Sequence, residues 1–376
     1  MGLTSHKVLA AAVGAALLAM VVTVGCWPRL SRRHWAAVLG RIGALLATQL
    51  ALLCALGLAA NSYFSFYTSW DDLLGTGDPG PVTVRPGGEG GPAGPVQVLG
   101  REAVQGAGPS GRDPASAGEV QAVRIAGTRS GLSTDGFVYL PPQYFQPAYA
   151  DRRFPAVVVL TGFPGDARNL LTRLNYPGAA LRLNREGRMQ PAVLVLMRPS
   201  PAMPADTECE DVPGGAQAET YFTQDVPRAV AAGYRVAVRP QGWAVMGNST
   251  GGYCALKLAM RHPEVFPSAV SMSGYYRAEE DASTGDLFGG SRRRREEADL
   301  VWRLAHLPPP GIAVLLAGSE RGDGDYSRET RAFAAAVRLP MSLATATVPE
   351  GGHNFQTWSR LLPSALEWLS PRLAVS

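Results

Sequence analysis

Two long apolar runs open the chain, and short apolar blocks separated by glycine, proline and polar residues follow. Val8 to Trp27 and Ile42 to Ala60 are almost unbroken, each near the ~20 residues a helix needs to cross a bilayer. A cleaved signal peptide accounts for the first run and leaves the second without explanation. The pattern therefore predicts a two-helix transmembrane hairpin within residues 1–74. From Gly75 to about Gly118 glycine and proline dominate with no apolar period, which predicts a flexible linker, because such a segment cannot bury enough surface to offset its ordering entropy.

From Glu119 to Ser376 the pattern changes to alternating strand and helix. Val120 to Ala126 and Gly136 to Leu140 read as early strands, the second closed by Pro141-Pro142. Pro155 to Leu160, Ala192 to Met197, Trp243 to Met246 and Ile312 to Ala317 are apolar blocks, as expected of strands covered on both faces, and Ala269 to Gly274 reads as a further strand. Helical segments are predicted at Asn169 to Leu183, Tyr253 to His262 and Phe355 to Leu369. The expected fold is α/β, a mostly parallel sheet wrapped by helices.

Charge adds orientation to the hairpin. Arg29, Arg32, Arg33 and Arg41 lie in or beside the connecting loop, whereas Lys7 alone precedes it and Asp71 and Asp72 follow it. The loop is expected in the cytoplasm and both ends outside, making the protein a multi-pass membrane protein with an extracytoplasmic domain. Tyr63, Phe64, Phe66, Tyr67 and Trp70 then fall where an interfacial aromatic belt sits, or else pack on the soluble domain. Net charge is only +4 in 376 residues, with Lys7 and Lys257 the sole lysines. The scattered arginines form no basic stripe with interleaved aromatics, so no nucleic-acid partner is expected. Arg292 to Arg295, followed by Glu296, Glu297 and Asp299, reads as a solvated helix start.

The chemistry centres on Gly247-Asn248-Ser249-Thr250-Gly251-Gly252, a G-x-S-x-G-G turn between an apolar strand and an alanine-rich helix. Such a turn lifts a serine hydroxyl above the sheet edge, and the helix start leaves the Thr250 N–H free to stabilise an oxyanion. Thr161-Gly162-Phe163-Pro164-Gly165 follows another parallel strand and offers the Phe163 N–H as a second oxyanion donor. Of five histidines only His353, in Glu350-Gly351-Gly352-His353, has a suitable loop and position for the base. The acid comes from Glu320, Asp323 or Asp325 in the loop after the Ile312 strand. Glu320, nearest the strand end, is the first choice and Asp323 the second. Serine, acid and histidine then follow the chain order of α/β-hydrolases. Cys209 and Cys254 are a disulfide candidate outside the cytoplasm, with two buried thiols as the alternative. Glu279 to Glu297 is the segment suspected of forming a lid.

Several stretches together resemble the esterase D and mycolyltransferase (antigen 85-like) superfamily, and within it the membrane-anchored actinobacterial esterases. They are Leu160 to Gly165, Asp206 to Cys209, Glu219 to Tyr221 with Asp225 to Pro227, Gly247 to Gly252, His262-Pro263 with Phe266, Ser273 to Tyr276, and Gly352-His353 with Trp358. The resemblance covers roughly Gly118 to Ser376. It implies an α/β-hydrolase fold with Ser249 as nucleophile, His353 as base and Phe163 and Thr250 as oxyanion donors. It also implies an acyl-enzyme, no metal or other cofactor, and water or a sugar hydroxyl as acceptor. Secreted mycolyltransferases carry a charged pair flanking the oxyanion glycine where this chain has Thr161 and Pro164, which counts against trehalose mycolyl transfer.

The expected function is an extracytoplasmic serine esterase or acyltransferase acting on a small-molecule or lipid ester or an acylated glycan, held to the membrane through residues 8–27 and 42–60. A serine peptidase and a catalytically silent binding module on the same fold are the rival readings.

Overall fold

The computed structural model describes residues 6–31, 34–64, 94–107 and 113–374, with backbone alone for residues 6 and 62–64. Of the aromatic belt residues, Tyr63 and Phe64 are described by backbone alone, and Phe66, Tyr67 and Trp70, with Arg32, Arg33 and most of the expected linker, lie outside the described residues. The chain divides into two compact units, Met1–Gly90 and Gly91–Ser376.

In the first unit α1 (His6–Leu30) and α2 (Trp35–Phe64) correspond to the two apolar runs. Within them Lys7–Leu30 and Trp35–Asn61, 24 and 27 residues, are long and apolar enough to cross a membrane. The helices pack on one another, with Thr23 Oγ1 2.9 Å from Thr48 Oγ1. Leu17, Val21, Leu46, Leu50 and Leu53 stay exposed, a surface costly in water and suited to lipid.

The second unit is built on nine strands: β1 (Val96–Glu102), β2 (Glu119–Ala126), β3 (Ser133–Leu140), β4 (Ala156–Leu160), β5 (Val193–Met197), β6 (Trp243–Asn248), β7 (Ser268–Met272), β8 (Ala313–Ser319) and β9 (Ser342–Val348). They form one sheet in the order β1-β2-β3-β5-β4-β6-β7-β8-β9. Pairing is antiparallel from β1 to β5 and parallel from there to β9. Alternate residues of the central strands feed two cores. Val158, Leu160, Val195 and Val245 face one, while Val157, Val159, Leu194 and Met246 face the other. That double burial explains why these strands read as unbroken apolar runs.

The main helices are α3 (Tyr176–Arg185), α4 (Val226–Gly233), α5 (Thr250–Arg261), α6 (Arg292–Ala298), α7 (Leu300–His306), α8 (Tyr326–Ala336) and α9 (Phe355–Leu369). Three expectations need correction. The linker does not run unbroken to Gly118, because Val96–Glu102 pairs with β2 as an added edge strand. The helix predicted from Asn169 to Leu183 is two pieces, Arg168–Thr172 and α3. Asn175, in the left-handed region at φ 47°, interrupts it and caps α3 by accepting from Gly178 N. Strand β9 was not foreseen, although Ser342-Leu343-Ala344-Thr345-Ala346-Thr347-Val348 is half-exposed along its length as an edge strand.

The chain steps from β4 to β5 on one side and to β6 on the other. The crevice at the carboxyl ends of β4 and β6 is therefore a topological switch point, where open α/β sheets place ligands. Ser249 follows β6 and Thr161 to Gly165 follows β4.

Candidate active site

Ser249 occupies the sharp turn between β6 and α5 at φ 55°, ψ −126°, a conformation costly for a side-chain-bearing residue unless its surroundings enforce it. The flanking glycines make the turn sterically feasible. A Cβ on Gly251 would lie 2.1 Å from Leu160 O, and one on Gly247 would lie 2.3 Å from Gly251 O. Both obstacles are backbone, so neither position has room for a side chain.

His353 Nε2 lies 2.9 Å from Ser249 Oγ, and His353 Nδ1 lies 3.0 Å from Asp323 Oδ1. Asp323 is buried, its side chain only 2% exposed. An ionised carboxylate can only accept, so Nδ1 carries the proton and donates to Asp323, which leaves the Nε2 lone pair to accept from the serine hydroxyl. The imidazole is held on two further sides. Tyr326, in the first turn of α8, stacks on it at 4.3 Å between ring centroids, and Trp358 meets it edge-on at 5.0 Å.

Both loops carrying this pair are locked together. Ser319 Oγ donates to Gly351 O at 2.7 Å and Gly351 N donates to Arg321 O at 3.0 Å. Gly322, at φ 94°, presses against the Gly351 carbonyl so closely that a Cβ would sit 2.9 Å from it. Asn354 closes the histidine loop by capping α9, its Oδ1 accepting from Thr357 N at 3.0 Å.

Among the acids expected from the sequence, Glu320 is not beside His353. Its backbone N–H still pairs with Val348 O, and its Oε1 accepts from Thr347 Oγ1 at 3.2 Å. The sheet pleat thus directs it toward β9, and the choice of Glu320 over Asp323 is corrected on that geometry. Asp325 pairs with Arg328 at the exposed start of α8.

On the other side of Ser249, a Cβ built on Gly162 would lie 3.4 Å from Ser249 Oγ, so the loop after β4 borders the hydroxyl. Among the described residues no backbone carbonyl accepts from Phe163 N–H. Thr250 opens α5, and among the described residues no backbone carbonyl accepts from its N–H. Asp166 in the same loop forms an ion pair with Arg198 beyond β5.

Cys209 and Cys254 form a disulfide with Cα atoms 5.7 Å apart. It ties the loop after β5 to α5. Around it lies a buried polar cluster that sequence reasoning did not reveal. Lys257, 0% exposed, donates to Glu208 O at 2.9 Å and sits 2.5 Å from Glu210 Oε2. Burial pushes the Asp206 carboxyl up to about 6, and burial beside Asp206 pushes Glu208 well above the usual range. Burial also acts on Glu219, but the hydrogen bond to His262 and the charges of Lys257 and Arg261 outweigh it and hold Glu219 at about 2. The segment suspected of forming a lid contributes to this cluster: Arg294 pairs with Glu210, and Ser283 O accepts from Asp206 N. Arg292 and Arg293 pair with Glu296 and Glu297 on the exposed face of α6.

Comparison with known proteins accords with this architecture. An uncharacterized protein of Corynebacterium glutamicum is 26% identical over 280 residues, which is 69% of this chain and 63% of that protein. The MPT51/MPB51 antigen of Mycobacterium bovis is 34% identical over 80 residues, 21% of this chain and 26% of the antigen. The chain therefore spans less than two thirds of the length of either curated relative. A solved ferulic acid esterase matches with a TM-score of 0.58 at 18% identity, covering 68% of this chain and 99% of that one. An S-formylglutathione hydrolase of Agrobacterium tumefaciens matches at 0.57 and 18%, covering 69% and 96%. These likenesses show the α/β-hydrolase fold. The sequence model described as "Putative esterase" matches residues 128–369, from the turn before β3 to the end of α9, and on that match the chain belongs to the esterase family.

Proposed function

We propose that the protein is a serine esterase or acyltransferase in which Ser249 is the nucleophile, His353 the general base and Asp323 the acid that orients it. The observation that carries this reading is the continuous line from Ser249 Oγ through the His353 imidazole to buried Asp323, at 2.9 and 3.0 Å. As Ser249 attacks an ester carbonyl, His353 Nε2 takes its proton while the Phe163 and Thr250 N–H groups donate to the oxyanion. The leaving alcohol takes the proton back as the acyl-enzyme forms. Water or a second alcohol then gives its proton to His353 as it attacks the acyl carbon, and His353 returns that proton to Ser249 Oγ as the acyl–oxygen bond breaks.

The catalytic unit faces the outside of the membrane in this proposal, on a multi-pass anchor formed by α1 and α2. Support comes from Arg29 in the last turn of α1 and from Arg41 near the start of α2, flanking the connecting loop. The Cys209–Cys254 disulfide supports the same placement, since such bonds persist in oxidising compartments. The substrate is an ester of the envelope, lipid or acylated glycan.

A fluorophosphonate probe on the full chain in phospholipid nanodiscs tests the nucleophile. The expected result is covalent labelling lost in Ser249→Ala. Absence of labelling in the parent protein would contradict the catalytic reading and favour a binding module on this fold.

A further inference from the structure

The side chain of His353 is 29% exposed, on a loop with two glycines directly before it, so its ring needs to be fixed by its neighbours. Hydrogen bonds hold its two nitrogens, at 3.0 Å to Asp323 Oδ1 and 2.9 Å to Ser249 Oγ. Both act at the ring edge. Small tilts of the ring out of its plane cost such bonds little, because they weaken steeply only when bent below about 120°. Contacts on the ring face are what oppose that tilt.

Tyr326 supplies the facial contact. Its ring lies nearly parallel to the imidazole, at an interplanar angle of 17° and 4.3 Å between centroids. Trp358, at 88°, bounds the imidazole on another side. One short turn supplies both the ring and the acid. Tyr326 N–H donates to Asp323 O at 3.1 Å, so the backbone that presents the carboxylate to Nδ1 also presents the aromatic ring to the imidazole face. Gly322 and Gly324, at φ 94° and 53°, set the course of that turn. Tyr326 is itself anchored by packing on the core at the start of α8. A cavity of about 440 Å³ lies between β8, β9 and α8, with Asp323 and Tyr326 in its wall. Shortening Tyr326 would therefore enlarge an existing space and leave the imidazole face uncovered.

We propose that Tyr326 is a positioning residue: its ring, set by the same turn as Asp323, keeps the His353 imidazole aligned between Ser249 Oγ and Asp323 Oδ1. This rests on the proposed roles of Ser249, His353 and Asp323. The alignment counts most as the proton leaves Ser249 and the imidazole becomes cationic, and an aromatic face within about 6 Å attracts a cation. Loss of the ring thus acts on the transition state, lowering kcat and leaving KM nearly unchanged.

The test is steady-state hydrolysis of p-nitrophenyl butyrate by the full chain in nanodiscs. For Tyr326→Leu the expected result is a kcat fall of roughly ten- to a hundredfold with KM within about twofold. Tyr326→Phe keeps the stack and should restore kcat to within about threefold of the parent. In an Asp323→Asn background Tyr326→Leu should cost less than about threefold more, because both substitutions act through one imidazole. Unchanged kcat in Tyr326→Leu overturns the proposal. So does an equal fall in Tyr326→Phe, or a fall in the Asp323→Asn background as large as in the parent. In each of these cases an inactive Ser249→Ala leaves the catalytic serine intact, whereas activity surviving in Ser249→Ala overturns the underlying reading instead. If Tyr326→Leu does not fold, Tyr326→Met, whose flexible chain fills the space without a ring, decides by the same comparisons.

Discussion

His353 Nδ1 meets Asp323 Oδ1 at 3.0 Å, although Glu320 lies three residues nearer the end of β8. The reason is local. The Glu320 N–H is still engaged with Val348 O of β9, so its side chain follows the sheet, whereas Gly322 and Gly324 at positive φ turn Asp323 back toward the histidine loop. Asp323→Asn should therefore lower kcat by roughly 10³–10⁴, since an amide facing Nδ1 no longer favours the required tautomer. Glu320→Gln should leave ester hydrolysis within about twofold of the parent. Steady-state kinetics on the two variants separates the acids.

Lys257 is the one lysine of the described hydrolase unit and is fully buried between Glu208 O and Glu210 Oε2. Lys257→Met removes the ammonium and leaves a carbonyl and a carboxylate facing a thioether. Loss of one partner from a buried ion pair costs about 3–5 kcal/mol. Glu210 keeps Arg294 at 3.0 Å and Arg261 at 3.7 Å, so the expected loss is at the lower end, about 3 kcal/mol, read as a shift in denaturant midpoint.

The disulfide spans 45 residues of chain between Cys209 and Cys254. Closing a loop of that size in the unfolded state stabilises the fold by roughly 4 kcal/mol. Replacing both cysteines by serine should lower unfolding free energy by about that amount. An unchanged denaturation midpoint would show that the bond is absent in the isolated protein.

Glu219 couples stability to pH. Its carboxyl, held at about 2 against an ordinary value near 4.5, stabilises the fold fully above about pH 4.5, and this contribution is lost as pH falls through 2. Burial opposes charge on His262, but Glu219 at 2.6 Å and Glu264 at 3.2 Å outweigh it and raise its pKa. Its contribution is complete below 6.5 and is lost as pH rises through the raised value. Glu219→Gln should thus cost about 3 kcal/mol near pH 5.5 and progressively less toward pH 2. The cost should shrink only partly above neutrality, because Arg261 remains 2.8 Å from Glu219 at any pH. Unfolding free energies of parent and variant across this range provide the check.

Much of the fold was legible because double burial writes itself into the sequence. Strands β4 to β8 are apolar on both faces, and the G-x-S-x-G-G turn between β6 and α5 needs small residues for backbone reasons alone. The edges were harder to read. Strand β1 lies within a Gly/Pro-rich context and is only half buried, so its signal merged with the linker, while β9 alternates at the exposed edge with small residues. The approach of His353 to Ser249 follows the chain order and the glycine loop. Which carboxylate meets the imidazole was not legible, because it depends on the course of a loop through Gly322 and Gly324 at positive φ. The Tyr326–His353 stack, the Lys257–Glu210 pair and the Tyr275–Glu208 contact join residues 27 to 67 positions apart, and no local spacing records such pairings.

Hydrolysis of p-nitrophenyl esters across a range of acyl lengths, by the full chain and by Ser249→Ala in nanodiscs, tests the central claim most directly. Turnover by the parent at one preferred length, abolished in the variant, is the predicted result. Turnover that survives in Ser249→Ala would contradict the assignment of Ser249, and a parent protein inert toward every ester would contradict the esterase reading itself.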